Sequence, residues 1–289
     1  MKLPYKDISR NKKLENIVFT AILVIIYRLI FPSGSSLLIY TGSEIILFAL
    51  LYTAALYIND FFSLKKYSPL SVILNVGLLT AILFFVFAIS KVEDPGQLQS
   101  AGTEVQLFFS LLSAFLLVGC LTYIFVAFRY LFFLRQKKNP SKYFNLMVIF
   151  SAAAFFLNIL KRGNNENSFL WEAFLVVTIV LISINSLRVA WIAFLSKREK
   201  IYLLIMSIVI AILFMINANF CWDKSVSTIS ALENFSGGMW TYLFLLMLYG
   251  AIFSFVVFFT ALFHLPTAEA FDRKAEEVSS LMDLSKIIT

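Results

Sequence analysis

The sequence predicts an all-α fold, a polytopic membrane helix bundle of about eight spans with both termini cytoplasmic and a C-terminal cytoplasmic helix. Three observations lead there. The 289 residues are 60% hydrophobic, 17% aromatic and 14% charged, whereas soluble domains are about a quarter charged and under half apolar. Apolar stretches recur at the ~20 residues a helix needs to cross the hydrocarbon core. The basic residues alternate between successive connectors, as cytoplasmic loops require.

Taken in order, the apolar stretches centre on residues 15–33, 36–58, 69–90, 105–128, 143–160, 168–190, 201–220 and 239–264. Polar connectors such as "FPSGSS", "RQKKNPSK" and "KRGNNENS" separate them. Nineteen of the 24 Lys and Arg fall at the two ends and in every second connector. The intervening connectors hold only Lys91, Lys161, Arg162 and Lys224, and Arg28 sits inside a span. This divides the chain into a basic cytoplasmic N-terminus (1–14), an eight-span domain (15–265) and a connector helix (266–289). The net charge of +7 is then a topology signal and an attraction to anionic lipid. Nucleic acid is not an expected partner, because no soluble basic groove with interleaved aromatics is present. The first apolar run follows a basic start without a small-residue cleavage site, so no cleavable signal peptide is read there.

Candidate chemistry is sparse. One histidine, His264, lies at the inner end of the last span. The two cysteines, Cys120 and Cys221, have neither metal nor disulfide spacing. No phosphate-cradling glycine loop, zinc-protease motif or nucleophile elbow occurs, so neither catalysis nor a cofactor is expected. Ionisable residues inside spans are costly and are functional candidates by default. Arg28 and Glu44 flank a short turn on neighbouring helices and read as a structural ion pair, as charges that snorkel separately to the interface, or as a ligand site. Glu172 follows Trp171 and reads as an interfacial anchor or a ligand contact. Asn75, Asn158, Asn185 and Asn217 should hydrogen-bond between helices. Residues 91–104 and 218–238, with "NFCWDK" at 219–224, form the larger outer connectors. An offset of 59 aligns Arg129 with Arg188, Tyr143 with Tyr202 and Asn158 with Asn217, through duplication or through the chance likeness of apolar segments.

The last segment is patterned as a helix. Pro266 should end the eighth span and Thr267 should cap a new helix. Phe271, Ala275, Val278 and Met282 follow steps of four, three and four, widened by Leu281 and Ile288. This is a heptad-like seam with charged flanks, suited to pairing in a homodimer. The helix meets no stop signal before Thr289 and is expected to continue into a further domain.

The stretch "LPTAEAFDRKAEEVSSLMDLSKIIT" resembles a connector of bacterial signalling proteins. There it joins a multi-span membrane region to a cytoplasmic GAF domain, followed by a histidine kinase or a metal-dependent serine/threonine phosphatase. The likeness lies chiefly in "LPTAEAFDRK" and "SLMDLSKIIT". It implies a dimeric input region in the bacterial inner membrane, relaying a conformational signal to a downstream cytoplasmic domain. No catalytic residue carries over, since the kinase motifs would lie beyond Thr289. The alternative is a small transporter or channel. Such proteins break their helices with Gly or Pro at membrane depth, whereas Pro4, Pro32, Pro69, Pro95, Pro140 and Pro266 all lie at span edges or outside the spans.

Overall fold

A computed structural model describes residues 5–31, 36–62, 64–91, 103–136, 141–163 and 168–288. Among them, nine α-helices follow one another: α1 (Tyr5–Ile30), α2 (Leu37–Phe61), α3 (Pro69–Ile89), α4 (Thr103–Phe133), α5 (Ser141–Gly163), α6 (Ser168–Ser186), α7 (Lys197–Phe220), α8 (Ser227–Phe235) and α9 (Gly237–Ile288). Short 3-10 turns lie at Leu64–Lys66 and Ala190–Phe194. A single antiparallel bridge joins Lys91 to Val226.

Local chemistry sets several helix starts. Ser36 accepts the Ile39 N–H at 3.3 Å to cap α2. Ser68 accepts from Ser71, and Pro69 fills the first position of α3, where a missing N–H costs nothing. Ser196 and Glu199 form a reciprocal capping box at α7.

Seven helical stretches are long and apolar enough to cross a membrane: α2, α3, α7, most of α4 and α5, α6 with its following 3-10 turn, and Gly237–Pro266 of α9. The fold is therefore a helical bundle of multi-pass membrane type. Large apolar side chains such as Phe19, Leu38 and Ile89 face outward, which suits lipid and would be a liability in water. The helix α1 is outside that set of seven, since it carries Lys13, Glu15 and Arg28.

The most enclosed spans are α4 and α9, each with 56% of its apolar window buried, against 28–39% for the others. Around α9 pack α4, α5, α6, α7 and α8, while α1 lies on α2. Met239, Leu243, Met247, Ser254, Val257 and Ala261 are buried along α9, at the three- and four-residue steps of an inward helical face.

One expectation fails here. The apolar stretch of the last span closes at Pro266, but no cap at Thr267 begins a separate helix, because α9 runs unbroken for 52 residues with Pro266 inside it. Proline removes the N–H that would meet the Leu262 carbonyl and costs about 3 kcal/mol in a helix interior. The packed turns before it and the strong helix formers after it, Ala268 to Ala270 and Arg273 to Glu277, carry the helix across. Of the seam residues, Val278 is exposed. The side chains of Phe271, Ala275, Leu281 and Met282 lie outside the described set.

Candidate functional site, a buried polar cluster at the start of the last helix

The junction between α8 and α9 is a single residue, Ser236, in extended conformation. Its hydroxyl accepts the Met239 N–H at 3.0 Å, capping α9, and donates to Glu44 Oε2 at 2.6 Å. The Tyr40 hydroxyl and the Gly238 N–H also hydrogen-bond the Glu44 carboxylate. The same Tyr40 oxygen accepts the Gly237 N–H at 2.7 Å. A carboxylate from α2 thus sits at the amino end of α9, where the helix dipole favours negative charge.

Arg28 reaches the same junction from α1. Its Nη2 donates to Ser43 Oγ at 2.8 Å and to the Phe235 carbonyl, and its guanidinium lies 4.1 Å over the Phe235 ring. Phe235 is presented by α8, whose buried Ile229, Leu232 and Phe235 form one face of a short amphipathic helix. On the other side of the junction, Asn158 of α5 donates to Thr241 Oγ1 at 2.7 Å, and Thr241 donates to the Gly237 carbonyl at 3.0 Å. Glycine is required by this closeness. A Cβ at Gly238 would come within 2.6 Å of both Glu44 Oε2 and the Phe155 ring, and one at Gly237 would collide with Asn158 Oδ1.

Arg28 and Glu44 are both buried, at 6% and 0% exposure, yet they do not form the expected direct ion pair. The ion pairs among the described residues are Lys13 with Asp60 and Lys91 with Asp223. The two charges of the cluster instead bind adjacent atoms of one junction, Arg28 the Phe235 carbonyl and Glu44 the Ser236 hydroxyl. Phe235 and Ser236 offer each charge a polar partner of its own, which satisfies both without direct contact. Glu44 Oε1 retains an unused acceptor position within the cluster. The arrangement offers two opposite charges fixed against one helix start. Among the described residues no group of three or more His, Cys, Asp or Glu could hold a metal.

Above the cluster, Lys91 reaches Asp223 at 2.9 Å, and the Ser227 N–H and hydroxyl both donate to the Ser90 carbonyl. The Asp223 carboxyl is held down to about 2, chiefly by the Ser225 hydroxyl that donates to it and next by Lys91. Trp222 stands exposed against Trp240, whose indole N–H donates to the Cys221 carbonyl at 2.9 Å.

Of the residues singled out from the sequence, Arg28, Glu44 and Asn158 converge here, while Asn217 and Glu172 do not. Asn217 is fully buried and donates to the Thr80 carbonyl at 3.0 Å, joining α7 to α3. Asn75 donates to Tyr123 and Asn185 to the Tyr143 carbonyl, so all four asparagines join helices as expected. Glu172 is exposed. Its neighbour Trp171 is buried, with ring centroid 6.2 Å from that of Trp240, and is no interfacial anchor. Tyr40, Ser43, Ser236 and Thr241 were not anticipated. Their one signal was "SGG" at 236–238, legible as a break but not as a point of close approach.

The opposite end of the last span holds one further buried charge. Lys200 is 3% exposed, and its ammonium lies 3.5 Å from the carbonyls of Ala193 and His264. Between the two ends the bundle is tightly packed. A cavity between Ile73, Phe128, Ser207 and Phe253 measures only about 10 Å³, room for one water at most.

Comparison with family models, with known proteins and with solved structures gives no match for this chain.

Proposed function

We propose that the chain is the membrane input module of a bacterial signalling protein, lodged in the cytoplasmic membrane. In this reading α1 is an eighth span and both termini are cytoplasmic. Its charges are compatible with that placement, since Arg28 is turned inward and Lys13 pairs with Asp60. Two copies associate, and a shift at the polar cluster passes along α9 to a soluble output of the GAF-linked kinase or phosphatase kind that residues 265–289 resemble.

The observation that supports this most is the continuity of α9. One helix begins among the charges of Arg28 and Glu44 and runs through Pro266 to Ile288. At 1.5 Å per residue, the distance from the cluster to the far end is on the order of 75 Å. A rigid element with one end held by charged hydrogen bonds converts a local rearrangement into movement at the other end. Two nearly equal packings of such an element suffice for a switch.

Cross-linking tests the reading. With the endogenous Cys120 and Cys221 replaced, Val278→Cys should form a disulfide between copies in native membranes under mild oxidation. Glu277→Cys, one residue off the seam, should not. Equal and weak cross-linking at both, with the protein monomeric, would remove the paired shaft and leave the transporter reading in its place.

A further inference from the structure

At the Lys200 end of the bundle, two arginines are mounted in the same way. Arg135 lies two residues beyond α4 and Arg188 two residues beyond α6. The Arg135 guanidinium sits 4.6 Å over the Phe194 ring, and that of Arg188 sits 4.6 Å over the Tyr143 ring. The two mounts are tied together. Gln136 Nε2 donates to the Arg188 carbonyl at 3.2 Å, and Asn185 Nδ2 donates to the Tyr143 carbonyl at 3.2 Å. Both rings stand at the perimeter, Phe194 at 61% and Tyr143 at 51% exposure.

Stacking over a ring fixes the plane of a guanidinium while leaving its N–H edge to meet an acceptor. Carboxylates within the described structure do not supply one. Glu199, near in sequence to Phe194, is engaged by the Ser196 N–H at 2.9 Å and the Ser196 hydroxyl at 3.0 Å. Asp60 is engaged by Lys13. Arg135 also holds a left-handed backbone, φ 54°, which an arginine adopts only at a cost and which glycine would suit better. A residue that aims a cation, rather than the residue that best ends a helix, occupies the position.

We propose that Arg135 and Arg188 bind the phosphate of an anionic phospholipid headgroup. Helix ends of α4 and α6 meet the start of α5 here, which puts the site at the border of the apolar bundle. There a lipid phosphate meets it at the correct depth, and its acyl chains continue along the exposed apolar surface below. Planar guanidinium groups match phosphate oxygens with paired, charge-assisted hydrogen bonds, and basic sites between helices are suited to such headgroups. This assignment does not depend on whether α9 carries a signal.

The test is native mass spectrometry of the full chain released from mixed micelles of phosphatidylglycerol and phosphatidylcholine. Phosphatidylglycerol should be retained preferentially. Arg135→Gln or Arg188→Gln should each reduce that retention about tenfold, the effect of losing one charge-assisted hydrogen bond. Arg135→Gly relaxes the backbone, so it should melt no lower than the parent and still lose the lipid, which separates binding from folding. Equal retention of the two lipids, or unchanged preference in the Arg135→Gln/Arg188→Gln double variant, would overturn the assignment. Displacement of the lipid by inorganic phosphate would overturn it in favour of a soluble phosphate on the same arginines.

Discussion

The two ends of the last span hold buried charge in opposite ways. At the α8 end, Arg28 and Glu44 are both present, one of each sign, and hydrogen bonds fasten them to the consecutive residues Phe235 and Ser236. At the other end, Lys200 has no carboxylate within ion-pair distance among the described residues, and it meets two carbonyls at 3.5 Å, near the limit of a useful hydrogen bond. Beyond it, the helix runs on to Val278, which is exposed. The difference is in how strongly each end of the helix is tied. Opposite charges on a capped helix start resist displacement, whereas a single ammonium against carbonyl dipoles permits small movements of the helix.

The largest effect should follow from breaking the more strongly tied end. Arg28→Gln or Glu44→Gln removes a buried charge-assisted hydrogen bond and leaves its partner at the junction unsatisfied, at a cost of about 1.5–3 kcal/mol each, read as loss of thermal stability in detergent. The double variant should cost less than the sum, because the two charges share one junction. Strict additivity would show that they act separately.

Steric damage to the same turn should come next. Gly238→Ala drives a Cβ into Glu44 and Phe155 and should destabilise by about 1–3 kcal/mol. Gly119 in α4 has no heavy atom within 4 Å of a Cβ, and Gly119→Ala should leave stability unchanged or raise it by up to about 1 kcal/mol. Equal effects at the two glycines would mean that the turn has slack.

The loosely held end should respond less. Lys200→Met keeps most of the volume and removes two long hydrogen bonds, for a loss of about 1 kcal/mol or none. A loss as large as that of Arg28→Gln would erase the contrast between the ends.

The smallest effect should be the exposed clip above the cluster. Asp223 has its carboxyl lowered from 3.8 to about 2 in the fold. A lowered carboxyl stabilises above its unfolded value and loses that contribution as pH falls through the folded one. The stability difference between the parent and Asp223→Asn should therefore be present above pH 3.8 and be lost as pH falls through about 2. A difference that persists unchanged at the lower pH would exclude the carboxylate as its source.

Much of the architecture was legible before any coordinates. Apolar length placed α2 to α7 and the Gly237–Pro266 part of α9 within a few residues, since crossing a bilayer demands a long run of a kind that other structures rarely need. The four membrane-depth asparagines were legible as helix-joining residues for a similar reason, because an amide in an apolar bundle must find a partner. Pro266 was legible as the edge of the last span but not as a residue inside one continuous helix. Proline is a strong local signal, but packing before it and helix propensity after it outweighed the single lost hydrogen bond. The burial of Lys200 was not legible, because nothing in its neighbours reveals that the 3-10 turn and His264 close over it.

The sequence by itself determined the helical class and the seven long apolar stretches, because composition and run length act locally and independently of contacts. Only the tertiary structure decided that Arg28 and Glu44 share the start of α9 without pairing directly, that Gly237 and Gly238 are needed for close approach, and that the last span and the tail are one helix. These depend on residues from α1, α2, α5, α8 and α9 meeting at one turn. Separations of up to 207 residues leave no periodicity from which such a meeting could be read.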